Sequence, residues 1–199
     1  MSLREKFSEF HRYPADWRRL LFQGGTILVA GALLALASLS NPDVSILHAR
    51  GLSWLPVSAF ILLGMGLLEF LDAFLAKELH DFIHNLQVGA LDTVVAGVII
   101  LGSSAEPERF GMLIMAFLLT RGIVRITLAY SMQLPLAVST VAGGAISILL
   151  GLLIWLEWPS SAGWFLAFCL NVEIALRGWA MMMFALWVQA RKPAEAVKG

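Results

Sequence analysis

Charge is scarce in this chain. Asp, Glu, Lys and Arg make up 14% of its 199 residues, where a soluble domain carries about a quarter. Apolar residues make up 59%, and the mean hydropathy is +0.79. A globule of this size in water cannot hide so much apolar surface in one core. The bilayer is the solvent these residues suit. Net charge is zero, so the total offers nothing to draw nucleic acid or an acidic partner. The lone cysteine, Cys169, excludes an internal disulfide framework. It lies in an apolar run and reads as inert packing. Catalytic signatures are missing too. There is no glycine-rich phosphate loop with lysine, no nucleophile elbow, no His-Glu-x-x-His and no cysteine cluster. No extramembrane stretch is long enough to hold a soluble active site, so no enzyme activity and no cofactor are expected. The first eighteen residues are polar and charged, and no cleavable signal peptide is expected.

Long apolar runs take the place of all this. A spanning helix needs about 20 mostly apolar residues. Six stretches meet or approach that length: 20–39, 54–76, 86–102, 110–130, 134–156 and 163–188. The third is the weakest, being short and containing Asp92. Breakers and charges fill the gaps, among them Asn41-Pro42-Asp43 and Glu157 to Ser161. Such short connections make sequence neighbours antiparallel partners. The expected fold is therefore all-α: an integral membrane bundle of six helices, built from three repeated helical hairpins. The hairpins are placed at about 20–79, 84–132 and 134–190, inside a membrane domain covering 19–190. Leu3, Phe7 and Phe10 recur at helical spacing beside Arg4, Lys6 and Arg12. Residues 1–18 thus read as an amphipathic segment on the membrane surface. The alternative is a frayed polar tail. Residues 191–199 read as a polar tail.

Lysine and arginine are unevenly placed. If both termini share a side, that side holds Arg4, Lys6, Arg12, Arg18, Arg19, Lys77, Arg191, Lys192 and Lys198, and the other only Arg50 and Arg109. This bias predicts cytoplasmic termini. Topology, not nucleic acid, accounts for the basic residues.

A repeat runs through the odd-numbered segments. Gly24 and Gly31 precede Pro42; Ala90 and Gly97 precede Pro107; Gly144 and Gly151 precede Pro159. A spacing of seven is about two helical turns, which puts both small residues on one face. Small faces let helix backbones approach closely in lipid. Gly24, Gly31, Gly97, Gly144 and Gly151 are therefore expected at helix contacts. Gly89 and Thr93 extend the stripe of the third segment, and Gly143 and Ser147 that of the fifth. The even segments share Arg121-Gly122 and Arg177-Gly178, with Glu69 at the corresponding place in the second.

Charges within hydrocarbon face the bundle interior or water. This chain has seven: Glu69, Asp72, Asp92, Arg121, Arg125, Glu173 and Arg177. Glu173 and Arg177 are four apart and can pair on one helix. Arg121 and Arg125 are also four apart and need acids from elsewhere. Glu69 and Asp72 are expected to meet them where the second and fourth helices touch, with Asp92 able to join. The network either fixes helix register or lines a path for protons or a polar solute. His80 and His84, beside Glu78 and Asp81, lack a full metal-ligand set. They read as a polar turn, with pH response as an alternative.

The chain resembles the HdeD family, small bacterial inner-membrane proteins associated with acid resistance. The likeness rests on Gly144, the run Ile146 to Leu153, Glu157-Trp158-Pro159-Ser160-Ser161, and Arg177-Gly178-Trp179. Asn41-Pro42 matches the family's ending of an odd helix. The likeness covers roughly residues 18 to 192. It implies three hairpins, the bacterial inner membrane and a link to acid stress. Family members commonly carry an acid before the glycine of their even helices. Arg121 and Arg177 stand there in this chain, so no role resting on that acid carries over. The function expected is that of a stress-related or accessory membrane protein; the alternative is a small transporter or channel using the buried charges. Its expected partners are the lipid bilayer and either a second copy or another membrane protein.

Overall fold

The computed structural model describes residues 17–43, 52–75, 79–102, 108–131, 137–160 and 162–196. Among these the chain forms six α-helices and no strand. They are α1 (Trp17–Ser40), α2 (Leu55–Leu75), α3 (Leu79–Leu101), α4 (Glu108–Ser131), α5 (Ala137–Trp155) and α6 (Gly163–Ala196). Of the amphipathic segment expected at residues 1–18, residues 1–16 lie outside the described residues, and Trp17 and Arg18 open α1.

Helix ends follow local chemistry. Pro42 cannot continue α1, which closes with the Asn41 amide donating to the Ala37 carbonyl. α5 ends in a Schellman motif. Trp158 N–H donates to Leu153 C=O, Glu157 N–H donates to Ile154 C=O, and Glu157 adopts φ 53°. The expected polar turn around His80 and His84 is instead the first part of α3. No glycine or proline lies between Lys77 and Gln87 to stop a helix. The His80 and His84 side chains are outside the described set, as is Glu78.

Five of the helices are long and apolar enough to cross a membrane. The exception is α3, whose apolar part is Asn85–Leu101. The whole of α3 nevertheless has 23 residues, about 34 Å at 1.5 Å per residue. Large apolar side chains point outward around the bundle. Phe22 is 80% exposed, Met112 78% and Val138 85%. Lipid accepts such a surface and water does not. The chain is a multi-pass membrane protein.

The tight pairs are α1 with α6, α2 with α3, and α4 with α5. They are antiparallel, and small residues lie at each crossing. A β-carbon on Gly24 would sit 2.8 Å from the Met182 backbone nitrogen, and one on Gly31 would sit 2.6 Å from that of Ala175. Between α2 and α3, a β-carbon on Gly89 would lie 2.9 Å from the Gly66 carbonyl. Between α4 and α5, one on Gly144 would lie 2.8 Å from the Gly122 carbonyl.

The close partners are therefore offset by one helix from the hairpins expected at 20–79, 84–132 and 134–190. The tight pairs span the two shortest connections, 76–78 and 132–136, and α1 closes against α6. Each odd helix thus lays its small face on the even helix before it, counting α6 as preceding α1. Gly97 does not take part, since a β-carbon there would meet nothing within 4 Å. Each four-residue step turns about 40° past a full circle, so Gly97 has rotated roughly 80° from Gly89.

The apolar core lies toward one end of the bundle. Leu55 and Leu62 of α2, Ile99 of α3, Ile114 and Leu118 of α4 and Leu166 and Leu170 of α6 are wholly buried there. Leu150 and Ile154 of α5 join them. This plug occupies the end where α2, α4 and α6 begin and α3 and α5 finish. α1 starts at the opposite end, where α6 finishes.

Candidate functional site

Next to the plug lies a chain of alternating acids and bases. The 1.5 Å rise per residue puts Glu69, Asp92, Arg121, Glu173 and Arg177 about 13–21 Å along their helices from the plugged end. That is near the middle of a hydrocarbon layer about 30 Å thick. α6 supplies two members from its central position, and α2, α3 and α4 supply the rest.

The ladder starts at Glu69 on α2, whose Oε1 pairs with Arg177 Nη2 on α6. Arg177 Nη1 reaches Asp92 Oδ2 on α3 at 2.7 Å. The same oxygen accepts from Arg121 Nη2 of α4 at 3.1 Å. Arg121 Nη1 stands 3.7 Å from Glu173 Oε1 on α6, and its guanidinium lies 5.2 Å from the centre of the Phe117 ring. Arg125 Nη2 lies 2.6 Å from Glu173 Oε1. The Ser147 hydroxyl of α5 finishes the run, 2.5 Å from Glu173 Oε2 and 3.2 Å from Arg125 Nη1. It also lies 3.0 Å from its own helix's Gly143 carbonyl. With one proton to give, it donates to the nearer carboxylate and accepts from Arg125.

Three acids face three arginines, so the ladder is neutral. Asp92 and Glu173 are wholly buried. An isolated charge at this depth costs about 2.5–3.5 kcal/mol on the lenient insertion scale. Each acid here has at least one guanidinium against it, and Asp92 and Glu173 have two. The arrangement can hold five helices in register, and every break in it leaves an uncompensated charge.

Six of the seven expected charges are thus brought together, but in a different order. Glu173 and Arg177 do not pair along their own helix. Each turns instead to oppositely charged groups on facing helices. Glu69 meets Arg177 rather than Arg121 or Arg125, because α6 lies against both α2 and α4, which among the described residues make no substantial contact with each other. Asp72 stands apart. It sits on an exposed part of α2, and among the described residues no ion pair includes it. Spacing marks Ser147 only as a small residue, and its polarity within an apolar run is the available clue to its place in the ladder. A second polar link, Asn171 Nδ2 to Ser38 Oγ at 3.3 Å, ties α1 to α6.

No protein-family model, no curated protein and no solved structure matches the chain. Fold and site together define its class: a multi-pass helical membrane protein with a neutral ion ladder at its centre.

Proposed function

We propose that the chain is an HdeD-like protein of the bacterial inner membrane with both termini cytoplasmic. In this reading it is a non-catalytic accessory protein of the acid-stress response, acting through helix packing and membrane partners. One observation carries it: the ladder is charge-balanced and lies against an apolar plug. Mutual neutralisation suits a lock on helix register. A plug of wholly buried leucine and isoleucine suits a sealed bundle better than a conduit.

Flux measurements on the full chain in proteoliposomes test the proposal. No proton or small-solute flux is expected above empty liposomes, while affinity capture from membranes yields one stable partner or a second copy. Flux that disappears in Asp92→Asn would overturn it. Reporter fusions at the two ends test the topology, and opposite sides would refute it.

The second reading is a small transporter or channel. It draws on the buried oxygens Asp92 Oδ1 and Glu69 Oε2, to which no hydrogen-bond donor is directed among the described residues. The same flux assay separates the two readings.

A further inference from the structure

The two halves of the ladder differ in how fully its oxygens are used. At Glu173 both oxygens are engaged. Oε2 receives the Ser147 hydroxyl at 2.5 Å. Oε1 lies 2.6 Å from Arg125 Nη2, so it is satisfied by charge although the N–H directions miss it. At the other half each carboxylate spends one oxygen only. Arg177 takes Glu69 Oε1 and Asp92 Oδ2, and Arg121 takes the same Asp92 oxygen. Asp92 Oδ1 and Glu69 Oε2 are buried without a donor among the described residues, and so is the Thr93 hydroxyl.

The three residues stand where α2 crosses α3, and there a β-carbon on Gly89 would lie 3.2 Å from Glu69 Cβ. One guanidinium holds both carboxylates. Thr93 follows Asp92 in the chain, and both stand at the Gly66 backbone. A β-carbon on Gly66 would lie 2.7 Å from Thr93 Oγ1 and 3.0 Å from Asp92 Cβ. Buried oxygens in proteins are almost always paired with a donor, from protein or from ordered water.

We infer that Asp92 Oδ1, Glu69 Oε2 and Thr93 Oγ1 form an internal water site. Its ligand class is a neutral hydrogen-bond donor. The acids and arginines already cancel, so a bound cation would add a charge with nothing to balance it. Water adds none. The route in is from the end opposite the plug. Exposure does not set the two halves apart: Glu69 and Arg177 keep 21% and 14% side-chain exposure and Arg125 keeps 18%, whereas Asp92 and Glu173 have none. What differs is the unused oxygens: the α2–α3 half keeps acceptors for water, while at the α4–α5 half both Glu173 oxygens are taken by Ser147 and Arg125. This asymmetry is independent of whether anything is carried across.

Water-edited solid-state NMR on the carbon-13-labelled full chain in liposomes tests the site without any substitution. Asp92 and Glu173 are equally buried, so burial alone predicts equal transfer of magnetisation from water to their carboxyl carbons. The expected result is a several-fold faster build-up at Asp92 than at Glu173. Equal build-up at both, slow or fast, would overturn the inference, as would faster build-up at Glu173.

Discussion

Removing Asp92 takes away the one carboxylate shared by two arginines, at 3.1 Å from Arg121 and 2.7 Å from Arg177. Two unit charges about 4 Å apart attract by roughly 4 kcal/mol at an effective dielectric near 20. Two such contacts give about 8 kcal/mol gross, most of it offset by the cost of desolvation. The net loss for breaking a buried pair is about 3–5 kcal/mol, and Asp92→Leu is expected to fall in that range. The decisive measurement is the double variant. Without Asp92 and Arg121, the ladder resolves into two neutral pairs, Glu69–Arg177 and Glu173–Arg125. Asp92→Leu with Arg121→Met should therefore recover much of the loss, with a coupling energy of about 1–3 kcal/mol. Coupling between Arg121 and Glu69, which do not touch, should be smaller. Denaturation of the detergent-solubilised protein, followed by helicity, gives all the values needed. Additive losses for Asp92 and Arg121, or stronger coupling of Arg121 to Glu69, would refute the ladder.

Other expectations follow from single contacts. Gly31→Ala puts a β-carbon 2.6 Å from a backbone nitrogen of α6, so α1 must shift; a loss of about 1–3 kcal/mol is expected in the same unfolding assay. Gly97→Ala meets nothing within 4 Å and should be neutral or stabilising by about 0.5–1 kcal/mol through helix propensity; a loss as large as that of Gly31→Ala would contradict the assigned faces. Ser147→Ala removes the hydroxyl donated to Glu173 and should lower stability by about 1–3 kcal/mol, while Ser147→Thr, which keeps the hydroxyl, should lose less. Glu157→Gly relieves a left-handed residue at the end of α5 and should raise the thermal midpoint, the gain being about 1 kcal/mol.

Several features were legible in the residues because they are local. Segment length and hydropathy set six helices, and the weakness of the third reappears as the short apolar part of α3. The buried charges were identifiable from position alone, since a charge well inside a twenty-residue apolar run has few places to go. Gly24, Gly31 and Gly144 were recognisable because their two-turn spacing defines a face. Partner choice is different in kind. The two shortest connections hinted at α2–α3 and α4–α5, but the closure of α1 on α6 joins opposite ends of the chain and leaves no trace in spacing.

The sequence by itself determined the solvent of this protein, its helix count and the sign of each interior charge, because those depend on composition and periodicity along one segment. Only the tertiary structure decided which acid meets which arginine. Glu173 and Arg177 sit four residues apart and still part company, because guanidinium and carboxylate groups on facing helices satisfy them better than they satisfy each other. That choice depends on where α6 stands among its neighbours, a matter of three-dimensional packing that no single stretch of residues contains.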